Sequence, residues 1–144
     1  VADESLFAMS TDDYWIDAGR PDTFISANVH VAKRAAKVTD ASIHPTATVA
    51  ATAVILDSVI GENATVLDGA RIQHSVLLPG AFVGQGAVVI DSLVMGKLDT
   101  NSQVTNSIIG STGVVGQNEM CSNASLPAHD PAQKPENFPE KFPE

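Results

Sequence analysis

The chain has 144 residues, a formal net charge of −9 and a single cysteine, Cys121. Its eight lysines and arginines form no basic stripe, so no nucleic-acid partner and no anionic membrane surface are expected. No apolar run approaches the roughly 18 residues that a membrane helix needs. A lone cysteine excludes an internal disulfide and favours a cytoplasmic location.

Residues 1–37 form the first predicted region, and they do not follow the pattern of the rest of the chain. The stretch 12–21, Asp-Asp-Tyr-Trp-Ile-Asp-Ala-Gly-Arg-Pro, indicates the end of a strand that runs into a turn. Pro21 suits the first turn of a helix. Phe24, Ile25, Val31 and Ala32 then fall near helical spacing, which predicts a helix of about four turns that ends at Ala36.

Residues 38–121 form the second region, in which aliphatic residues recur at steps of five or six. The aliphatic positions are Ile43, Val49, Ile55, Ile60, Val66, Ile72, Leu77, Val83, Val89, Val94, Leu98, Val104, Ile109 and Val115. Two positions before each lies Ala, Ser or Gly. Residues two apart share one face of a strand, so both members of each pair are expected to point inward. The spacing therefore predicts a solenoid with one short strand per step and a corner between steps.

A longer period shows that three steps close one turn of this solenoid. The segment 55–60 returns at 72–77, 89–94 and 104–109, which are 17, 17 and 15 residues apart. The cross-section is therefore expected to be triangular. Because Glu119 puts a charge in a slot otherwise filled by small residues, the solenoid is predicted to stop near Cys121.

One outward-facing row of the solenoid is apolar in four successive coils, and it is predicted to be a contact surface. We call this row the apolar ladder; its members are Val59, Val76, Leu93 and Ile108. It is expected to pack on a catalytic domain, on the helix predicted near residues 22–36, or on a second copy in a homo-oligomer. Residues 122–144 form the third region, an extended tail with proline at every fourth position from 127 to 143.

The repeat of aliphatic, corner and small residues resembles the hexapeptide repeat of left-handed parallel β-helices. The stretch Tyr14 to Pro21, with Phe24 and Asn28 after it, resembles the end of the catalytic domain in sugar-1-phosphate nucleotidylyltransferases. That family has a Trp-x-Asp-x-Gly strand, then a helix, then a hexapeptide-repeat domain. The order is the same here, and the combination is most similar to the branch that holds mannose-1-phosphate guanylyltransferases and glucose-1-phosphate nucleotidylyltransferases.

The resemblance implies an all-β fold, a left-handed β-helix preceded by a strand and helix left from an α/β catalytic domain. It also implies that Asp17 helps to hold Mg²⁺ beside the phosphates while a nucleoside triphosphate reacts with a sugar-1-phosphate. A carboxylate suits this ion, although Asp17 equally suits a purely turn-shaping role. The family's glycine-rich nucleotide loop and its cationic phosphate ligands are absent from this chain. The chain is therefore expected to be inactive alone.

Two other functions remain open on the sequence. An acyltransferase of the hexapeptide-repeat class needs a histidine base, for which the candidates are His30, His44, His74 and His129. His74 occupies the same corner position as Asp57, Asp91 and Asn106, which is typical of a residue that satisfies local backbone. The other alternative is a non-catalytic oligomerisation scaffold.

Overall fold

A computed structural model describes residue 10, residues 12–36 and residues 41–127 of the chain. One helix, α1 (Pro21–Ala36), precedes sixteen short strands. The strands are β1 (Ala41–Ile43), β2 (Thr48–Val49), β3 (Val54–Leu56), β4 (Ser58–Ile60), β5 (Thr65–Val66), β6 (Arg71–Gln73), β7 (Val76–Leu77), β8 (Phe82–Val83), β9 (Val88–Ile90), β10 (Leu93–Val94), β11 (Lys97–Leu98), β12 (Gln103–Thr105), β13 (Ile108–Ile109), β14 (Val114–Val115), β15 (Met120–Ser122) and β16 (Ser125–Leu126). Within these ranges, no helix has the length and apolarity to cross a membrane.

The strands form a left-handed parallel β-helix of triangular section, as the sequence predicts. Every third strand pairs with the next in parallel, which gives three sheets of six, five and five strands and about five turns. The six-stranded sheet runs β1-β4-β7-β10-β13-β16, and we call it the helix-bearing sheet. Equivalent positions stack in register, so that Ile60 pairs with Leu77 and Leu77 with Val94.

The shorter corner of each turn is a single residue with a left-handed backbone. Its five occupants have φ between 44° and 53°: Asp57, His74, Asp91, Asn106 and Asn123. Asn and Asp tolerate this conformation better than most residues. The prediction that His74 shares a corner position with its neighbours is thus confirmed by its φ of 44°.

The inward residues fill a thin aliphatic core, as predicted. From Ile60 to Val115 every inward aliphatic side chain is at most 2% exposed, and the small residues between them are equally buried. In the first coil the core opens at its end, and Ile43 is 47% exposed because no strand below β1 lies within the described residues.

Serine has a specific use in the small slots of the helix-bearing sheet. The Ser75 hydroxyl donates to the Gln73 carbonyl at 2.7 Å and accepts the Ser92 backbone N–H at 3.1 Å. The same pair of bonds recurs from coil to coil through Ser58, Ser75, Ser92 and Ser107. Each hydroxyl thus satisfies buried backbone groups on both sides of the short corner, which alanine cannot do.

The fourth coil is two residues shorter than the coils before it, and its shortened corner contains Gly96. Met95 and Gly96 both donate their backbone N–H groups to the Ile109 carbonyl, so the corner is compressed. A Cβ on Gly96 would collide with the carbonyl oxygens of Gly110 and Gly113. The shortened corner therefore requires a residue without a side chain.

The solenoid extends further than the sequence predicts. Cys121 in strand β15 belongs to the core, as the predicted end implies. Strand β16 then packs Leu126 against the core beyond that predicted end. Glu119 does not interrupt the coil because its carboxylate turns outward and accepts the Gly116 N–H at 2.8 Å. Within the described residues the last paired strand ends at Leu126. Pro127 then takes the position at which Gly110 donates an N–H to the neighbouring coil, and proline has no N–H to donate.

The predicted helix is observed, and the predicted strand before it is not. Residues 12–20 contain no strand, because no partner strand lies beside them in the described part of the chain. The tail from residue 128 onward and His129 lie outside the described residues.

Candidate functional surface

Helix α1 lies across the helix-bearing sheet and covers most of the apolar ladder. Ile25 and Val29 are 2% and 7% exposed, and they pack on Val76, which is 2% exposed. Val59 and Leu93 are half-buried against the same cluster. Of the contact partners suggested by the sequence, the chain's own helix is therefore the one present in the structure.

An ion pair ties helix α1 to the β-helix, and a ring stack ties it to the segment before it. The Lys33 ammonium lies 2.6 Å from the Asp57 carboxylate at a short corner. The Tyr14 ring stacks on the His30 ring, with centroids 3.6 Å apart and planes inclined by 10°. Sequence periodicity did not reveal either contact, since each joins residues from different segments of the chain.

Asp17 lies in an exposed turn immediately before the helix. One of its carboxylate oxygens accepts the Gly19 backbone N–H at 3.0 Å, which stabilises the turn. The residues described contain no group of three or more His, Cys, Asp or Glu side chains placed to hold a metal ion.

Arg20 and Asp22 form an exposed pair at the start of the helix. The Arg20 guanidinium donates two hydrogen bonds to the Asp22 carboxylate, at 2.6 and 3.1 Å. These bonds hold the pKa of the Asp22 carboxyl below its usual value. Pro21 occupies the first helical position, where its missing N–H costs nothing.

The outer side of this region is unusually apolar for a free surface. Trp15 is 81% exposed, Val31 60% and Tyr14 44%. A shallow cavity of about 400 Å³ lies between Tyr14, His30, Val31 and Arg34. Exposed aromatic and aliphatic groups that lie together in this way mark a contact surface.

Three of the histidines lie within the described residues, and two of them, His30 and His74, line one cavity of about 240 Å³. The His74 Nδ1 lies 2.6 Å from the Asp91 carboxylate of the next coil, and the His44 Nδ1 lies 2.9 Å from the Thr46 hydroxyl of its own corner. His30 packs under Tyr14, and its Nε2 is buried without a hydrogen-bond partner. Each of these three histidines is thus tied to local structure.

A groove of about 580 Å³ opens where the helix begins and the ladder is no longer covered. One side consists of Arg20, Asp22 and Ile25, and the other of corner and strand residues of the last three coils. Ile108, the fourth member of the ladder, is half-buried and lines this groove.

Comparison of the sequence with known proteins gives a family match and a similar enzyme. Residues 37–98 match the family described as "GMPPB C-terminal domain". A glucose-1-phosphate adenylyltransferase from Acetivibrio thermocellus is 27% identical over 126 residues, an alignment that covers 79% of this chain and 29% of that protein. The chain thus spans less than a third of the length of this relative.

Among solved structures, a perosamine N-acetyltransferase from Caulobacter crescentus, crystallised in complex with CoA and GDP-perosamine, has a TM-score of 0.38 and 20% sequence identity. That alignment covers 76% of this chain and 65% of the acetyltransferase chain, and a likeness of this degree carries no functional argument. The family match and the adenylyltransferase relative confirm the resemblance stated above: the chain carries a nucleotidyltransferase-like C-terminal β-helix.

Proposed function

We propose that the chain is the C-terminal part of a sugar-1-phosphate nucleotidylyltransferase of the GDP-mannose type, and that its β-helix serves assembly or regulation of that enzyme. The match of residues 37–98 to a C-terminal domain family carries the proposal. The order of the Asp17 turn, helix α1 and β-helix supports it.

In the proposed reaction, a phosphate oxygen of the sugar-1-phosphate attacks the α-phosphorus of a nucleoside triphosphate. The bond to the bridging oxygen breaks, and pyrophosphate leaves. Asp17 is proposed to hold Mg²⁺ beside these phosphates with the carboxylate oxygen that Gly19 does not use. Mg²⁺ takes only one or two protein carboxylates in many sites, and it would offset the negative charge of the phosphates.

The described residues support the proposal that this chain is inactive by itself. A triphosphate needs several free cationic groups around it. Of the five described cationic side chains, Arg20, Lys33 and Lys97 each lie within 2.9 Å of a carboxylate. The other two, Arg34 and Arg71, lie on different elements, α1 and β6. The remaining phosphate contacts would belong to an upstream part of the enzyme, for which Trp15, Tyr14 and Val31 offer a contact surface.

Substrate preference tests the GDP-mannose assignment. The intact enzyme is expected to release pyrophosphate faster from GTP and mannose-1-phosphate than from ATP and glucose-1-phosphate. A clear preference for the second pair would place the enzyme with the adenylyltransferases and overturn the assignment.

The two alternatives make different predictions. A hexapeptide-repeat acyltransferase would transfer an acetyl group from acetyl-CoA, and its rate would depend on a histidine such as His74. The bond of His74 to Asp91 and its left-handed corner conformation favour a structural role instead. If the protein is a non-catalytic scaffold, the intact protein should show neither pyrophosphate release nor acetyl transfer.

A further inference from the structure

The groove at the start of α1 has the dimensions of a small-molecule site. Its volume of about 580 Å³ falls within the range of roughly 300–1,000 Å³ typical of ligand sites. It is bounded by the first helical turn on one side and by the last coils of the β-helix on the other. Both boundaries are held by ordered elements rather than by long loops.

The groove contains one apolar patch within a largely polar lining. Ile25 is 2% exposed, and Ile108 is half-buried at the end of the apolar ladder. The next residue in register after Ile108 is Ser125, so the apolar surface ends inside the groove. A ligand with one apolar face would cover the part of the ladder that the helix leaves open.

The β-helix side of the groove is a row of short-corner side chains. Asn106 Nδ2 donates to Asn123 Oδ1 at 2.7 Å, which fixes both amides. The Asn106 Oδ1 is left as an acceptor and the Asn123 Nδ2 as a donor. Asp91 lies one coil before them and adds a carboxylate.

The charges around the groove favour a neutral ligand over an anion. The Arg20 guanidinium is already bonded to Asp22, and Asp91 adds a second negative charge. A phosphate would therefore meet two carboxylates and one neutralised cation. A hydroxyl group both donates and accepts hydrogen bonds, so it suits the alternating amide and carboxylate groups.

We propose that this groove binds a neutral pyranose. The C–H face of the sugar ring lies on Ile108, and vicinal hydroxyls bond to the free amide groups of Asn106 and Asn123. This inference concerns a binding site on the β-helix and does not depend on the reaction proposed for the parent enzyme.

The test is a titration of the 144-residue chain with D-mannose and D-glucose, followed by ¹H–¹⁵N correlation spectra. We expect saturable shifts of backbone amides near Ile25, Ile108 and Asn123 at millimolar sugar. Asn123→Gly preserves the left-handed corner and removes the amide, so it should weaken binding about tenfold.

Asn118→Gly is the matched control. Asn118 also has a left-handed backbone, with φ of 59°, and its amide oxygen accepts from Asn101 at 3.3 Å on a different corner. This variant should bind sugar as the wild type does. Absence of saturable shifts with either sugar, equal loss in both variants, or shifts produced by inorganic phosphate but not by sugar would each overturn the proposal. So would a sedimentation measurement in which Ile108→Glu dissociates a dimer, because a second copy would then occupy the groove.

Discussion

At the scale of single residues, the buried serines contribute hydrogen bonds that the small volume of their side chains does not predict. The sequence predicts correctly that Ala, Ser and Gly fill the narrow interior. It does not predict the hydrogen bonds of Ser58, Ser75 and Ser92, because those bonds depend on the stacking of coils. The sequence does contain a signal, because Ser58, Ser75, Ser92 and Ser107 follow the short corner in four successive turns, whereas the matching slots of the other two sheets hold mostly alanine.

Ser75→Ala tests the role of this hydroxyl. The change leaves the buried Ser92 N–H without a partner, whereas the Gln73 carbonyl still accepts the Asp91 N–H. We expect a loss of about 1–3 kcal/mol in the free energy of unfolding, measured by denaturant titration.

Ser102→Ala is the control for that change. Ser102 is equally buried, but its Oγ has no hydrogen-bond partner. Its replacement should be neutral or stabilising. Equal losses in the two variants would show that the hydroxyl of Ser75 contributes no more than its volume.

Asp17→Asn in the intact enzyme tests the proposed metal role. The amide can still accept the Gly19 N–H and keep the turn, but it binds Mg²⁺ poorly. We expect turnover to fall sharply and to recover in part at higher Mg²⁺ concentration. Asp22→Asn, a few residues away at the helix start, should change turnover little. An unchanged rate for Asp17→Asn would restrict Asp17 to shaping the turn.

At the scale of elements, the β-helix should tolerate a larger side chain at an outward-facing position but not at an inward-facing one. Ala70 and Ala87 are fully buried in the core, whereas Thr65 faces outward on a neighbouring sheet. Ala70→Leu and Ala87→Leu should each cost roughly 1–3 kcal/mol by overpacking. Thr65→Leu should cost little. Equal melting temperatures for all three variants would contradict the assignment of Ala70 and Ala87 to the interior.

The helix and the ladder depend on each other. Ile25→Ala removes a buried contact with Val76 and should cost about 2–5 kcal/mol, with loss of helical signal. Val31→Ala changes the exposed side of the same helix and should be close to neutral. If both changes are neutral, the helix does not dock as the structure shows.

The limits of prediction also appear at this scale. The helix could be placed correctly because Pro21 and a helical apolar spacing are local signals. A strand in residues 12–20 could not be verified from local signals, since a strand forms only beside a partner. The end of the solenoid was misplaced because Glu119 can turn outward to Gly116, a choice that depends on side-chain conformation.

At the scale of the whole molecule, the two sides of α1 have different roles. The inner side packs on the apolar ladder within the chain. The outer side, with Trp15 and Val31, remains open. The candidate groove could not be predicted from the sequence because it is formed by residues about one hundred positions apart, such as Arg20 and Asn123.

Self-association tests whether the open surface serves copies of this chain. The homo-oligomer expected from the sequence would use the ladder, but Val76 is covered by the helix. An assembly should therefore depend on Trp15 and Val31 instead. In sedimentation, Trp15→Ser with Val31→Ser should lower the mass of any assembly. A mass that is unaffected would exclude this surface as the contact between copies.

Pyrophosphate release tests most directly the central claim that this chain is the C-terminal part of a nucleotidylyltransferase. Equal concentrations of the 144-residue chain and of the intact enzyme are compared with GTP, mannose-1-phosphate and Mg²⁺. We predict turnover by the intact enzyme and none by the 144-residue chain. Turnover by a homogeneous sample of this chain, or no nucleotidyl transfer to any sugar-1-phosphate by the intact protein, would contradict the account.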